Sequence, residues 1–145
     1  MSADTVSAML GGAAVLGEVV ESDLDLAIQV RQGLPSASLQ YVANALRPMM
    51  TREAVYAVVG SERTLQRKQK SRERLSAAES DRLARLARIA VRAAEALGSQ
   101  EKANRWLVTP NRALGGQPPI ELVHTDTGTV LVEDVLDRIE HGVIG

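Results

Sequence analysis

The sequence predicts an all-α protein, and three observations carry that expectation. Apolar residues make up 45% of the 145, yet Phe is absent and Trp106, Tyr41 and Tyr56 are the only aromatic side chains. Ala, Leu, Val and Ile must therefore build the interior, a mixture suited to closely packed helices. Apolar positions recur at a spacing of three to four through most of the chain, and no run alternates strictly enough to require a sheet. TGTVLV at 127–132 is β-branched enough to allow a short strand pair as well. The length matches one compact unit of ordinary domain size.

Taken in order, residues 5–20 (TVSAMLGGAAVLGEVV) are the stretch most easily confused with a leader or a membrane span. Asp4 stands where a basic start would be needed, and the run falls short of the roughly 20 apolar residues that cross a bilayer. The expectation is a soluble, cytoplasmic protein, consistent with the absence of cysteine. Ser22 or Asp23 caps a helix with an expected stripe of Leu24, Ala27, Ile28 and Val30, ended by Gly33 and Pro35. Ser36 or Ser38 starts the next, carrying Leu39, Val42, Ala43 and Leu46 up to Arg47-Pro48. Thr51 caps a third, with Ala54, Val55, Val58 and Val59 inward and Gly60 as an expected left-handed stop. Ser61 caps a fourth, Glu62 to about Lys70, whose one strongly apolar residue is Leu65.

Ser76 and Glu79 have capping-box spacing, and the long helix behind them presents Leu83, Leu86, Ala87, Ala90, Ala94 and Leu97 before Gly98. Ser99 caps a shorter helix bearing Ala103, Trp106 and Leu107, broken by Thr109-Pro110-Asn111. Pro118-Pro119 permits a helical turn through Leu122. Asp126 or Thr127 then starts a final helix using Val130, Val135, Leu136 and Ile139 and stopping at Gly142.

Charge is distributed unevenly. Residues 1–46 carry one basic and five acidic side chains, 47–92 carry twelve and five, and 93–145 carry four and eight, so a +7 centre lies between two −4 ends. The overall charge of −1 excludes a uniformly basic coat, while the centre can attract phosphate. Within it, residues 50–75 have the layout of a helix-turn-helix: Ala54 small at the helix crossing, Gly60 at the reversal, Ser61 freeing amides and Leu65 pinning the second helix. Thr64, Gln66, Arg67 and Lys70 are then the outward positions, able to reach base edges, with Arg63, Lys68 and Arg72 toward phosphates. An ordinary helical hairpin with a solvated basic face fits the same pattern.

Residues 78–145 contain the helix ESDRLARLARI, the segment Ala103-Asn104-Arg105-Trp106-Leu107, the loop Pro110-Asn111-Arg112-Ala113-Leu114-Gly115-Gly116 and Pro119 followed by Glu121-Leu122. Thr127, Gly128 and Arg138-Ile139-Glu140-His141-Gly142 come after these. In this order they resemble the toxin-binding domain of the Xre/MbcA/ParS antitoxins, and the basic hairpin before them is similar to the Xre-like part of that family. The resemblance implies an N-terminal helical region (1–75, with the helix-turn-helix at about 50–72) followed by a small helical toxin-binding domain (76–145). It also implies an antitoxin whose partner is a RES-domain toxin acting on NAD, either degrading it or transferring ADP-ribose. The C-terminal domain would cover the toxin's active site, and the N-terminal one would repress the operon's promoter. Because helix-turn-helix repressors commonly dimerise to read two half-sites, a homodimer within the toxin–antitoxin assembly is expected.

The residues suit such a surface. Trp106 offers rigid contact area, and Asn111 and Arg112 lie in a loop that Gly and Pro hold at low entropic cost. Glu133, Asp134, Asp137 and Glu140, with His141, Ile144 and Gly145 at the end, form an acidic final helix and tail able to pair with basic groups around NAD phosphates. Trp106 equally fits a core role, Arg112 a helix cap, and His141 the helix dipole. An alternative reading keeps the helix-turn-helix as a transcriptional regulator and makes the C-terminal block a dimerisation module only. No catalytic motif, zinc pattern or cofactor fingerprint is found, so neither an enzyme, a metal site nor a cofactor is expected. Because the preceding helices carry most of the predicted core, removal of residues 133–145 is expected to leave the fold largely intact yet lose toxin neutralisation.

Overall fold

The computed structural model describes residues 3–142. The elements are α1 (Ala3–Met9), α2 (Gly12–Leu16), α3 (Asp23–Gln32), α4 (Ala37–Ala45), α5 (Arg52–Val59), α6 (Glu62–Ser71), α7 (Ala77–Leu97), α8 (Gln100–Leu107), 3-10 turns at Arg112–Leu114 and Pro119–Leu122, and α9 (Asp126–Glu140). Among the described residues no strand forms, and residues 127–132 are helical. The all-α expectation therefore holds.

Helix starts follow the sequence closely because they are local. Ser22, Thr51, Ser61, Ser76, Ser99 and Thr125 each accept, through the side-chain oxygen, from the amide three residues on. Each such cap contributes roughly 1 kcal/mol. Ser76 and Glu79 form the reciprocal capping box. α9 begins at Asp126, one of its two expected starts, and Thr125 caps it.

α7 is the axle of the molecule. Leu83, Leu86, Ala87, Ile89, Ala90 and Ala93 are buried along it, and it packs against α1, α3, α4, α5, α8 and α9. Its many alanines let that number of neighbours approach one helix closely. The N-terminal apolar stretch folds as part of the same core, with Val6, Leu10, Leu16 and Val20 buried. No helix of the described residues is long and apolar enough to cross a membrane.

Four local expectations are corrected. α3 is rotated from the expected stripe: Leu24 is 69% exposed and Ile28 is also exposed, while Leu26 and Gln29 face inward. Gln29 belongs inside because its amide donates to Glu18 Oε1 at 2.6 Å, a contact that counting apolar residues misses. Ala54 lies on the exposed side of α5, and Tyr56 fills the interior instead, its hydroxyl donating to Gln69. Gly60 has φ 173°, which is extended backbone and not a left-handed stop. Val130 points to solvent, and the inward face of α9 is Gly128, Thr129, Val132, Val135 and Leu136.

The depth at which α9 packs bears on the expectation that the fold survives removal of residues 133–145. Val135 and Leu136 are buried core residues, so that truncation would open the interior beside α7. At the other end of α7, Gly33 is held at φ 98° with the Leu75 carbonyl 2.4 Å from where a Cβ would stand. Only glycine fits there. The approach lets the Leu75 amide donate to the Leu34 carbonyl at 2.9 Å, tying the α3–α4 turn to the segment that leads into α7.

Candidate functional site

Two surfaces are built on α7, one at each end of the chain's logic. The first is the basic hairpin α5–α6. Leu65 is fully buried and pins α6, while Tyr56 and Gln69 bond across the two helices. Burial of Tyr56 pushes its phenol pKa up, so the hydroxyl stays a donor. Lys68 is turned inward: its ammonium lies 2.6 Å from Glu79 Oε1, and the two side chains are only 15% and 12% exposed. Burial by itself would raise the Glu79 carboxyl. The hydrogen bond from Lys68, the Ser76 amide at 2.8 Å and the Lys68 charge outweigh it and hold that pKa below the ordinary range.

The remaining members of the predicted set are on the outer side. Arg63, Gln66, Arg67, Lys70 and Arg72 are exposed and Thr64 is half-buried, which leaves one basic, hydrogen-bonding ridge on a helix of groove-compatible width. Two of these are tethered by acids: Gln66 donates to Glu62 at 3.1 Å and Arg67 to Glu73 at 2.8 Å. Arg52 stands 5.6 Å from the centroid of the Tyr56 ring on the preceding helix and adds a cation beside this hairpin. Its i, i+4 spacing from Tyr56 is the signal that would have found it.

The second surface is made by α8, the loop after it and α9. Asn111 accepts from the Ala113 amide at 2.9 Å, and its own amide and carbonyl bond to Gln117 and Gly116 at 3.1 and 2.8 Å. The loop thereby closes on itself, with Arg112, Ala113, Gly115 and Gly116 exposed on it and Leu114 tucked under. Trp106 is half-buried and packs on the core, so its ring serves both interior and surface.

On α9 the carboxylates divide. Asp137 pairs with Arg92 of α7, which also lies 4.0 Å from Glu133. Arg85 likewise spans Asp81 and Asp126, fastening the start of α9. Asp134 and Glu140 are exposed, as is His141, whose Nδ1 lies 2.7 Å from the Asp137 carbonyl at the helix end. Ile144 and Gly145, also expected at this surface, lie outside the described residues. Sequence reasoning missed the outer apolar pair Val130 and Leu131, 54% and 49% exposed beside Asp134. The adjacency of these two residues is a signal, since both cannot face one core. Among the described residues no group of three His, Asp or Glu side chains is placed to hold a metal ion.

Comparison with known families agrees with this division. Residues 25–88 match the antitoxin Xre-like helix-turn-helix domain, and residues 92–142 match the antitoxin Xre/MbcA/ParS C-terminal toxin-binding domain. The chain belongs to the Xre/MbcA/ParS antitoxin family. The two family domains meet on α7, one reaching Arg88 and the other beginning at Arg92. Among curated relatives, the chain is 38% identical over 82 residues to Antitoxin Xre of Yersinia enterocolitica serotype O:8, covering 56% of this chain and 55% of that one. It is 32% identical over 83 residues to Antitoxin Xre of Photorhabdus laumondii, covering 57% and 56%. It is 38% identical over 80 residues to Antitoxin Xre of Pseudomonas putida KT2440, covering 55% and 50%. The match thus spans about half the length of each of these relatives.

Proposed function

We propose that this chain is the antitoxin of a type II toxin–antitoxin pair: its C-terminal half binds a RES-domain, NAD-using toxin and covers the active site, and its α5–α6 hairpin binds operator DNA to repress the pair's own operon. The observation that carries this reading is the tandem of two antitoxin-family domains on one shared helix, each presenting an outward surface of the right character. The protein acts by occupation and performs no chemistry. The choice of a RES-domain partner rests on the resemblance of residues 78–145. A cleft that takes NAD phosphates carries basic groups, and Asp134 and Glu140 are two exposed carboxylates of α9 that would meet them, with Val130 and Leu131 as apolar anchors. Glu133 and Asp137 orient α9 through Arg92 and would meet the toxin only by exchanging that partner. Exposed Leu24 and Ile28, near exposed Val19, give the proposed homodimer an apolar contact surface, and the cytoplasm is where such an assembly works.

The deciding experiment is copurification with the product of the adjacent gene, followed by titration of this chain into an NAD-consumption assay. Activity that ends near equimolar antitoxin supports the reading. Full toxin activity in saturating antitoxin, or NAD turnover by this chain alone, overturns it.

Two substitutions separate the surfaces. Val130→Asp with Leu131→Lys is expected to weaken toxin binding by about tenfold or more while changing stability by less than about 1 kcal/mol, since both side chains already meet water. Isothermal titration beside thermal melts reads both quantities. Arg67→Ala with Lys70→Ala is expected to weaken operator binding and to reduce the salt slope by up to about two phosphate contacts, with toxin binding retained. Binding isotherms across a salt series check it.

A further inference from the structure

The end of α6 holds an acid where a DNA-reading helix would be expected to stay basic. Arg72 adopts the left-handed conformation, φ 57° and ψ 32°, the one residue besides glycine at positive φ among those described. That geometry costs a non-glycine residue roughly 1–2 kcal/mol. It lets the Glu73 amide donate to the Lys68 carbonyl at 2.9 Å and turns the chain back along the helix. The Glu73 carboxylate consequently lies 2.8 Å from Arg67 Nη1, and the Ser71 hydroxyl sits between the Arg67 carbonyl at 2.9 Å and Glu73 Oε2 at 2.8 Å.

The fold has little use for this pair. Its side chains are 61% and 47% exposed, and exposed pairs contribute at most about 1 kcal/mol. Arg67, however, stands in the middle of the outward basic ridge. Glu73 occupies Nη1 of its guanidinium, so a phosphate takes the full two-pronged fork only by displacing that carboxylate, and one that binds the other N–H groups meets its repulsion within a screening length of about 8–10 Å.

We propose that Glu73 is a brake on DNA binding: it competes with phosphate for Arg67 and lowers the affinity of α6 for DNA of any sequence. This rests on the DNA-binding reading of the α5–α6 hairpin given above. The device keeps a basic helix from binding bulk DNA tightly, because such binding is governed almost wholly by phosphate contacts.

The test compares the full-length wild type, Glu73→Gln, Ser71→Ala, Arg67→Ala and the Arg67→Ala/Glu73→Gln double variant. Each is titrated with a duplex from upstream of its own gene and with a scrambled duplex of equal length, over a salt series. Glu73→Gln is expected to bind both duplexes about three- to tenfold more tightly at low salt, with a steeper salt slope of up to about one added phosphate contact. Ser71→Ala should shift affinity the same way by a smaller factor, and most of the gain from Glu73→Gln should vanish once Arg67 is gone. Unchanged affinity of Glu73→Gln, where Arg67→Ala does weaken binding, overturns the brake and leaves the DNA-binding reading standing. An equal gain in the Arg67→Ala background also overturns it, since Glu73 would then act by net charge alone. Failure of the wild type and Glu73→Gln to bind either duplex overturns the DNA-binding reading and the brake with it.

Discussion

Gly128→Ala is expected to destabilise the protein by about 3 kcal/mol or more and to lower its melting temperature by about 10 °C. A Cβ at Gly128 would stand 1.9 Å from the Leu122 carbonyl oxygen and 2.8 Å from its carbon. The obstacle is the backbone of the Pro119–Leu122 turn, with Pro119 and Val123 buried around it. It cannot swing aside as the end of a long side chain would. Gly128 is itself helical, in the first turn of α9 and capped by Thr125 at 3.0 Å, so the demand is for close approach and not for unusual backbone angles. Displacing α9 would also misplace Asp134, Val130 and Leu131. Thermal melts and toxin titration of the same sample should therefore fail together. A variant that melts like the wild type would show that the turn can retreat at low cost.

Lys68→Ala and Glu79→Gln are the second large pair, each expected to cost about 2–3 kcal/mol at neutral pH. Removing Lys68 leaves the Glu79 carboxylate in a poorly solvated corner with the Ser76 amide as a remaining hydrogen-bond donor. Removing the Glu79 charge strands the ammonium instead and weakens the capping box of α7. The pH dependence follows from the lowered Glu79 pKa. A carboxyl held below its unfolded value stabilises the fold above about pH 4.5, and that contribution fades as pH falls through the lowered folded value. Urea melts should show the difference between wild type and Glu79→Gln shrinking below pH 4.5. A constant difference down to pH 2.5 would assign the effect to packing and not to charge. Because this pair joins α6 to the start of α7, Lys68→Ala should also loosen the basic hairpin.

Much of the candidate site was legible before the fold. The caps at Ser61 and Ser76, the Leu65 anchor, the exposed Gln66, Arg67 and Lys70, and the acidic α9 are all patterns within a few residues of one another. The inward turn of Lys68 was not legible, because Glu79 is eleven residues away across a loop and either residue alone reads as solvated. The same limit hid the division among the carboxylates of α9. Asp134 and Asp137 look alike in sequence, and only the placement of Arg92 on α7 makes one of them an internal partner.

What the chain alone determined is its helical class, the starts of α3 to α9, the basic centre and the order of its two family domains. Those depend on spacing, on side-chain oxygens reaching amides three residues on, and on summed charge, all of which are local. Tertiary structure decided which face of each helix turned inward: Gln29 in and Leu24 out on α3, Tyr56 in and Ala54 out on α5, Val132 in and Val130 out on α9. The physical reason is that a helix rotates to satisfy every buried group at once. A hydrogen bond such as Gln29 to Glu18, or a backbone pressed against Gly128, can outweigh the transfer energy of one more leucine.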